Sequence, residues 1–127
     1  MGTARTILVV EDNALLVQLV RQMLETDYTV VEASNGEEGV ALATEAMPHL
    51  IVMDLMMPVM DGWQAIEKIR SAWKTCRIPI IALTAVTDLR GTRRATKLGA
   101  DAVLEKPIEE PELIAAIERL IGTPRES

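Results

Sequence analysis

Phenylalanine is absent from the 127-residue chain, and Tyr28, Trp63 and Trp73 are the whole aromatic set. A core must therefore be assembled from Leu, Ile, Val, Met and Ala. Cysteine occurs once, at Cys76, which excludes an internal disulfide and fits a reducing compartment, so a cytoplasmic location is expected. No apolar signal-peptide segment follows Met1, and the longest apolar runs, such as 7–10 and 50–53, stop at an acidic residue. They fall far short of the roughly 20 residues of a membrane span. Positive charge is also scarce. Thirteen Lys and Arg against nineteen Asp and Glu leave a net charge of −6, which argues against nucleic acid or an anionic membrane as the direct partner. With 49% hydrophobic and 25% charged residues, the composition is that of a globular protein, long enough for one domain with a full core. A single domain over 1–127 is expected, with its core at about 6–121 and a tail at 122–127.

Short β-branched runs alternate with helical patterns. Runs at 6–10, 29–32, 50–53, 78–83 and 102–104 are mostly apolar without alternation, as in strands buried on both faces of a parallel sheet. Pro79 stands near the start of the fourth, where a proline is tolerated. Leu16, Leu19, Val20, Met23 and Leu24 repeat at helical spacing behind Asp12 or Asn13 as cap. A second helix is predicted over 37–46, after Ser34-Asn35-Gly36. A third is opened by Asp61-Gly62 and marked by Ala65, Ile66, Ile69, Ala72 and Trp73. The fourth, 88–98, is weakened by Gly91, Thr92 and Thr96. The fifth carries Pro111 in its first turn, a stripe of Leu113, Ile114, Ile117, Leu120 and Ile121, and Gly122 as its stop. Five βα units in succession predict a doubly wound parallel α/β sheet with helices on both faces.

In such a sheet ligands bind beyond the carboxyl ends of the strands. Strand one ends in Glu11-Asp12, strand three in Asp54, strand four in Thr84, and strand five reaches Lys106-Pro107. If strands one and three are neighbours, three carboxylates crowd one edge. Two such charges about 4 Å apart repel by roughly 4 kcal/mol at an effective dielectric of 20, so a cation is needed to offset them. Hard carboxylate oxygens with room for water suit Mg²⁺. Lys106 adds a positive arm and Thr84 a hydroxyl, which together describe a site for a phosphoryl group with Asp54 as its acceptor. Individually each residue reads as a helix cap or turn former; their meeting at one edge carries the argument.

Val10-Glu11-Asp12-Asn13, then Asp54-Leu55-Met56-Met57-Pro58-Val59-Met60-Asp61-Gly62, then Thr84-Ala85, Gly99-Ala100-Asp101 and Lys106-Pro107 resemble the receiver domain of two-component response regulators. The resemblance implies a (βα)₅ fold with flavodoxin-like strand order 2-1-3-4-5. It implies that Asp54 accepts a phosphoryl group from a phosphohistidine on a sensor histidine kinase or histidine phosphotransfer protein. Glu11, Asp12, Asp54 and the backbone carbonyl of Met56 would hold Mg²⁺, Lys106 would pair with the phosphoryl oxygens, and Thr84 would hydrogen-bond them and drive a switch. The Lys106-Pro107 peptide is expected to be cis, and the output face to be helix four, strand five and helix five, toward a partner the resemblance does not identify. Receivers usually carry Tyr or Phe three residues before the lysine; here it is Val103, so an aromatic switch at that position is not available. Such a domain modifies itself and is not an enzyme in the turnover sense. The alternative from another class is a Mg²⁺-dependent phosphohydrolase with Asp54 as nucleophile; its usual second Asp, two residues on, is here Met56.

Other residues are set aside. His49 lies at the start of strand three, on the order of 16 Å from Asp54 along it, which excludes a nucleophilic triad there. Cys76 precedes strand four, at the edge opposite Thr84. Met53, Met56, Met57 and Met60 suggest loop packing rather than a copper site, there being no His or Cys beside them. No Gly-rich loop follows strand one, which excludes a dinucleotide fold. Arg90, Arg93, Arg94 and Lys97 share one face of helix four, either as a solvated face or as a docking surface for an acidic partner.

Overall fold

The computed structural model describes residues 4–85 and 88–124. Sequence expectations for Val86, Thr87 and the end of the tail, 125–127, fall outside them. Five strands alternate with five helices: β1 Thr6–Val10, α1 Ala14–Leu24, β2 Thr29–Ala33, α2 Gly36–Ala46, β3 Leu50–Asp54, α3 Gly62–Ser71, β4 Ile80–Ala85, α4 Leu89–Leu98, β5 Ala102–Lys106 and α5 Glu110–Ile121. All neighbouring strands are parallel, in the order β2-β1-β3-β4-β5. No helix among the described residues is long and apolar enough to cross a membrane.

The unbroken apolar runs are explained by two cores, one on each face of the sheet. Leu8, Val10, Ile51, Met53, Ile80 and Ala82 meet Ala43 of α2, Trp63, Ala65, Ile66 and Ile69 of α3, and Ala95 of α4. Ile7, Val9, Leu50, Val52, Ile81 and Leu83 meet Val20 and Leu24 of α1 and Leu113, Ala116 and Ile117 of α5. Successive strand residues thus alternate between apolar layers, and polarity cannot show the period of two.

Helix starts follow from local chemistry. The Asn13 carboxamide oxygen accepts from the N–H groups of Leu15 and Leu16, so Asn13 is the cap of α1 rather than Asp12. Asn35, Asp61 and Asp88 cap α2, α3 and α4 in the same way.

Two expected boundaries shift. β4 begins at Ile80 and runs to Ala85, two residues later than the apolar run suggests at each end. The Ile78 carbonyl is taken by the Arg70 guanidinium, and the Ile80 N–H by the Asp101 carboxylate. α3 stops at Ser71, so Ala72 and Trp73 lie outside it. The Thr75 hydroxyl donates to the Ile69 carbonyl at 2.7 Å and Ala72 turns extended, leaving Trp73 86% exposed.

Candidate phosphoryl and cation site

Glu11, Asp54 and Lys106 reach one place because they share strand parity. Each continues a series, Ile7-Val9-Glu11, Leu50-Val52-Asp54 and Ala102-Leu104-Lys106, whose apolar members pack on the α1 and α5 side. The β1–β3 register aligns Val10 with Met53, and its next step brings Glu11 level with Asp54. β5 is two strands from β3, roughly 10 Å away at the usual strand spacing, so only a long side chain bridges the gap. The Lys106 ammonium does so, standing 2.9 Å from Asp54 Oδ1 and 3.3 Å from Glu11 Oε1. Thr84 is buried at the tip of β4, one residue beyond the partner of Asp54. It follows Ile80 and Ala82 in parity, and those residues pack on the α2, α3 and α4 side.

Asp54 and Glu11 are only 2% and 3% exposed, while Asp12 is open to solvent. One carboxylate oxygen from each of the three lies within 4.8 Å of the others. Glu11 Oε2 accepts the Asn13 N–H at 3.1 Å, while the buried Oε1 is paired by charge with the Lys106 ammonium, 3.3 Å away, and has no other partner. Burial, chiefly, pushes the Glu11 carboxyl up to about 7; the charge of Asp54 adds to this, against the lowering effects of the Asn13 N–H and Lys106. Burial pulls the Lys106 ammonium down, yet the hydrogen bond and charge of Asp54, then Glu11, prevail and hold it above the usual lysine range. A buried carboxylate oxygen beside two further carboxylates is a donor set that fits a hard divalent cation. The Lys106-Pro107 peptide is cis, as expected.

Residues set aside from sequence lie elsewhere. His49 Nδ1 accepts the Thr6 N–H at 2.9 Å at the amino edge of the sheet. The Cys76 thiol faces the Trp73 carbonyl. Met53 is fully buried and Met57 and Met60 pack on the core, but Met56 departs from the expected loop packing and is 66% exposed. Gly99-Ala100-Asp101 is structural: Gly99 has φ +123° with the Arg70 side chain against it, and Asp101 ties Arg70 to the start of β4. Arg90, Arg93, Arg94 and Lys97 are all exposed on α4.

Sequence reasoning placed Trp63 at no site, since one aromatic at the start of a helix carries no motif. In the fold it is buried, and its indole N–H donates 2.9 Å to the Gly91 carbonyl of α4.

Residues 7–118 match the response regulator receiver domain family. Histidine kinase P4 of Formosa agariphila is 34% identical over 116 residues, 91% of this chain and 8% of the kinase. The chain likewise spans about half the length of several transcriptional regulators that it matches. Chemotaxis protein CheY of Halobacterium salinarum is 33% identical over 115 residues, 90% of this chain and 94% of CheY. Among solved structures, the receiver domain of sensor histidine kinase PA1611 from Pseudomonas aeruginosa PAO1 aligns with a TM-score of 0.88 at 33% identity, covering 95% of this chain and 100% of that one. That structure holds a magnesium ion coordinated in its active site cleft.

Proposed function

The chain belongs to the response regulator receiver domain family of two-component signalling, and from that premise we propose that Asp54 is its phosphoacceptor. The observation that carries this is the Lys106 ammonium held 2.9 Å from Asp54 Oδ1 beside two more carboxylates. An oxygen of the Asp54 carboxylate attacks the phosphorus of a phosphohistidine. The P–N bond breaks, a P–O bond forms, and the product is an acyl phosphate. Lys106 pairs with the transferred oxygens and Thr84 donates its hydroxyl to one of them. Glu11, Asp12, Asp54 and the Met56 carbonyl would hold Mg²⁺, which when bound neutralises charge on carboxylates and phosphoryl oxygens alike. The donor is a sensor histidine kinase or histidine phosphotransfer protein, and a cytoplasmic setting suits the lone Cys76. Residues 1–127 act as one receiver unit. The domain is a switch that modifies itself; a phosphohydrolase built on Asp54 would lack an acid/base group at Met56. Incubation with acetyl phosphate and Mg²⁺, followed by intact mass and peptide mapping, is expected to show one phosphoryl group, on Asp54. No uptake, or uptake at another residue, would overturn the assignment.

The lifetime of the acyl phosphate depends on a water in line with the P–O bond. Met56 is exposed beside Asp54 and has no group to orient one; Val86, two residues beyond Thr84, lies outside the described residues. Met56→Asn should therefore speed phosphoryl loss by on the order of tenfold through a new hydrogen bond to that water. The decay is read by intact mass over time, and an equal or slower rate would count against the role of this position.

The output face is taken to be α4, β5 and α5. Only Gly91 and Ala95 of α4 are buried, against five residues of α3, so α4 is the helix least anchored by apolar contact. Val103 is half-buried against the core and β-branched, and fills space without gating a pocket as an aromatic would. Amide exchange with and without beryllofluoride and Mg²⁺ should change mainly over 84–107, and Thr84→Ala should shrink that change. Changes restricted to residues near Asp12 and Asp54, or undiminished in the variant, would count against this route.

A further inference from the structure

Gly62, the first residue of α3, lies directly against the backbone of the acceptor. Its N–H donates 2.9 Å to the Leu55 carbonyl, and a Cβ there would stand 2.2 Å from the Asp54 carbonyl oxygen. The next residue is Trp63. Its indole crosses to α4, donates to the Gly91 carbonyl, and carries the Arg94 guanidinium over its ring at 5.2 Å. A Cβ on Gly91 would fall 2.8 Å from Trp63 Cζ2. The glycine that lowers the helix propensity of α4 is thus what lets the ring lie against its backbone.

From this contact chain we infer that Trp63 is a positioning residue that ties α4 to the state of Asp54. The inference rests on Asp54 being phosphorylated, as proposed above. Any shift of the Asp54–Leu55 backbone moves Gly62 through close backbone contact. Trp63 then carries the shift to α4 through a directional hydrogen bond to the Gly91 main chain and a stacked cation at Arg94. This link runs through α3, separate from Thr84 and from the Val103 position, where no aromatic is present. It also acts on the helix that bears Arg90, Arg93 and Lys97, so their presentation would follow the phosphorylation state.

Two measurements test it on the full chain. Trp73→Phe removes the exposed indole and leaves Trp63 as the one tryptophan; its emission should shift or change intensity when acetyl phosphate and Mg²⁺ phosphorylate the protein. Trp63→Phe keeps an apolar ring but has no N–H. It should still take up the phosphoryl group by intact mass, while the phosphorylation-dependent change in amide exchange over 89–98 falls several-fold. Uptake accompanied by an unchanged Trp63 emission, or by a full exchange response of α4 in Trp63→Phe, would overturn the coupling alone. No uptake by the unsubstituted protein would overturn the assignment of Asp54 and the coupling with it.

Discussion

Asp54→Asn is expected to abolish phosphoryl uptake from acetyl phosphate, and EDTA to slow uptake by the unsubstituted protein on the order of 10²-fold or more. The first effect is chemical. An amide oxygen is a far poorer nucleophile than a carboxylate, and Lys106 stands nearer to Asp54, at 2.9 Å, than to Glu11, at 3.3 Å. The second effect is electrostatic. Two unit charges 4.8 Å apart, the span of the Glu11, Asp12 and Asp54 oxygens, repel by about 3.5 kcal/mol at an effective dielectric of 20. A phosphoryl donor brings further negative charge to the same place, and Lys106 supplies one positive charge against it. A divalent ion is worth several kcal/mol of transition-state stabilisation, and about 3 kcal/mol corresponds to roughly 10²-fold in rate. Time courses of intact mass with and without EDTA measure both. An unchanged gain in Asp54→Asn would remove Asp54 from its role, and uptake indifferent to EDTA would remove the cation.

Gly62→Ala is expected to cost about 3 kcal/mol of stability, a fall in Tm of roughly 10 °C. The backbone of Gly62 is one that other residues adopt, so conformation is not the cause. Space is. The added methyl would stand 2.2 Å from the Asp54 carbonyl oxygen, 2.7 Å from Leu55 Cα and 2.9 Å from the Asp54 carbonyl carbon. All three are main-chain atoms at the tip of a central strand, with no side chain to swing aside. Relief requires α3 to back away from β3, which also displaces the acceptor, so phosphoryl uptake should slow in the same variant. Thermal unfolding followed by circular dichroism gives the first quantity and intact mass the second. A Tm within about 2 °C of the unsubstituted protein would contradict this account.

Much of the architecture was legible in the order of residues. Apolar, β-branched runs of three to six residues separated by helical stripes point to buried parallel strands, because they are too short for buried helices. The start of α3 at Asp61 was readable, and that of α1 to within Asp12 or Asn13, because a side-chain oxygen satisfying free N–H groups is a local matter; Asn35 and Asp88 emerged as caps only in the fold. The acidic pair, Asp54, Thr84 and Lys106 stood out as chemistry at strand ends. Boundaries were less legible where distant groups compete for the backbone. Arg70 and Asp101 moved the start of β4, and the Thr75 hydroxyl ended α3 before Trp73.

By itself, then, the sequence determined which elements form and which residues stand at the carboxyl edge, since both depend on interactions within a few positions of the chain. Only the tertiary structure decided that Glu11 lies level with Asp54, that Lys106 spans β4 to meet both, and that Trp63 rests against Gly91. Those meetings depend on strand order, register and the docking of α3 on α4. All three are set when the two apolar layers close on the sheet, and that closure joins residues 28 to 95 positions apart.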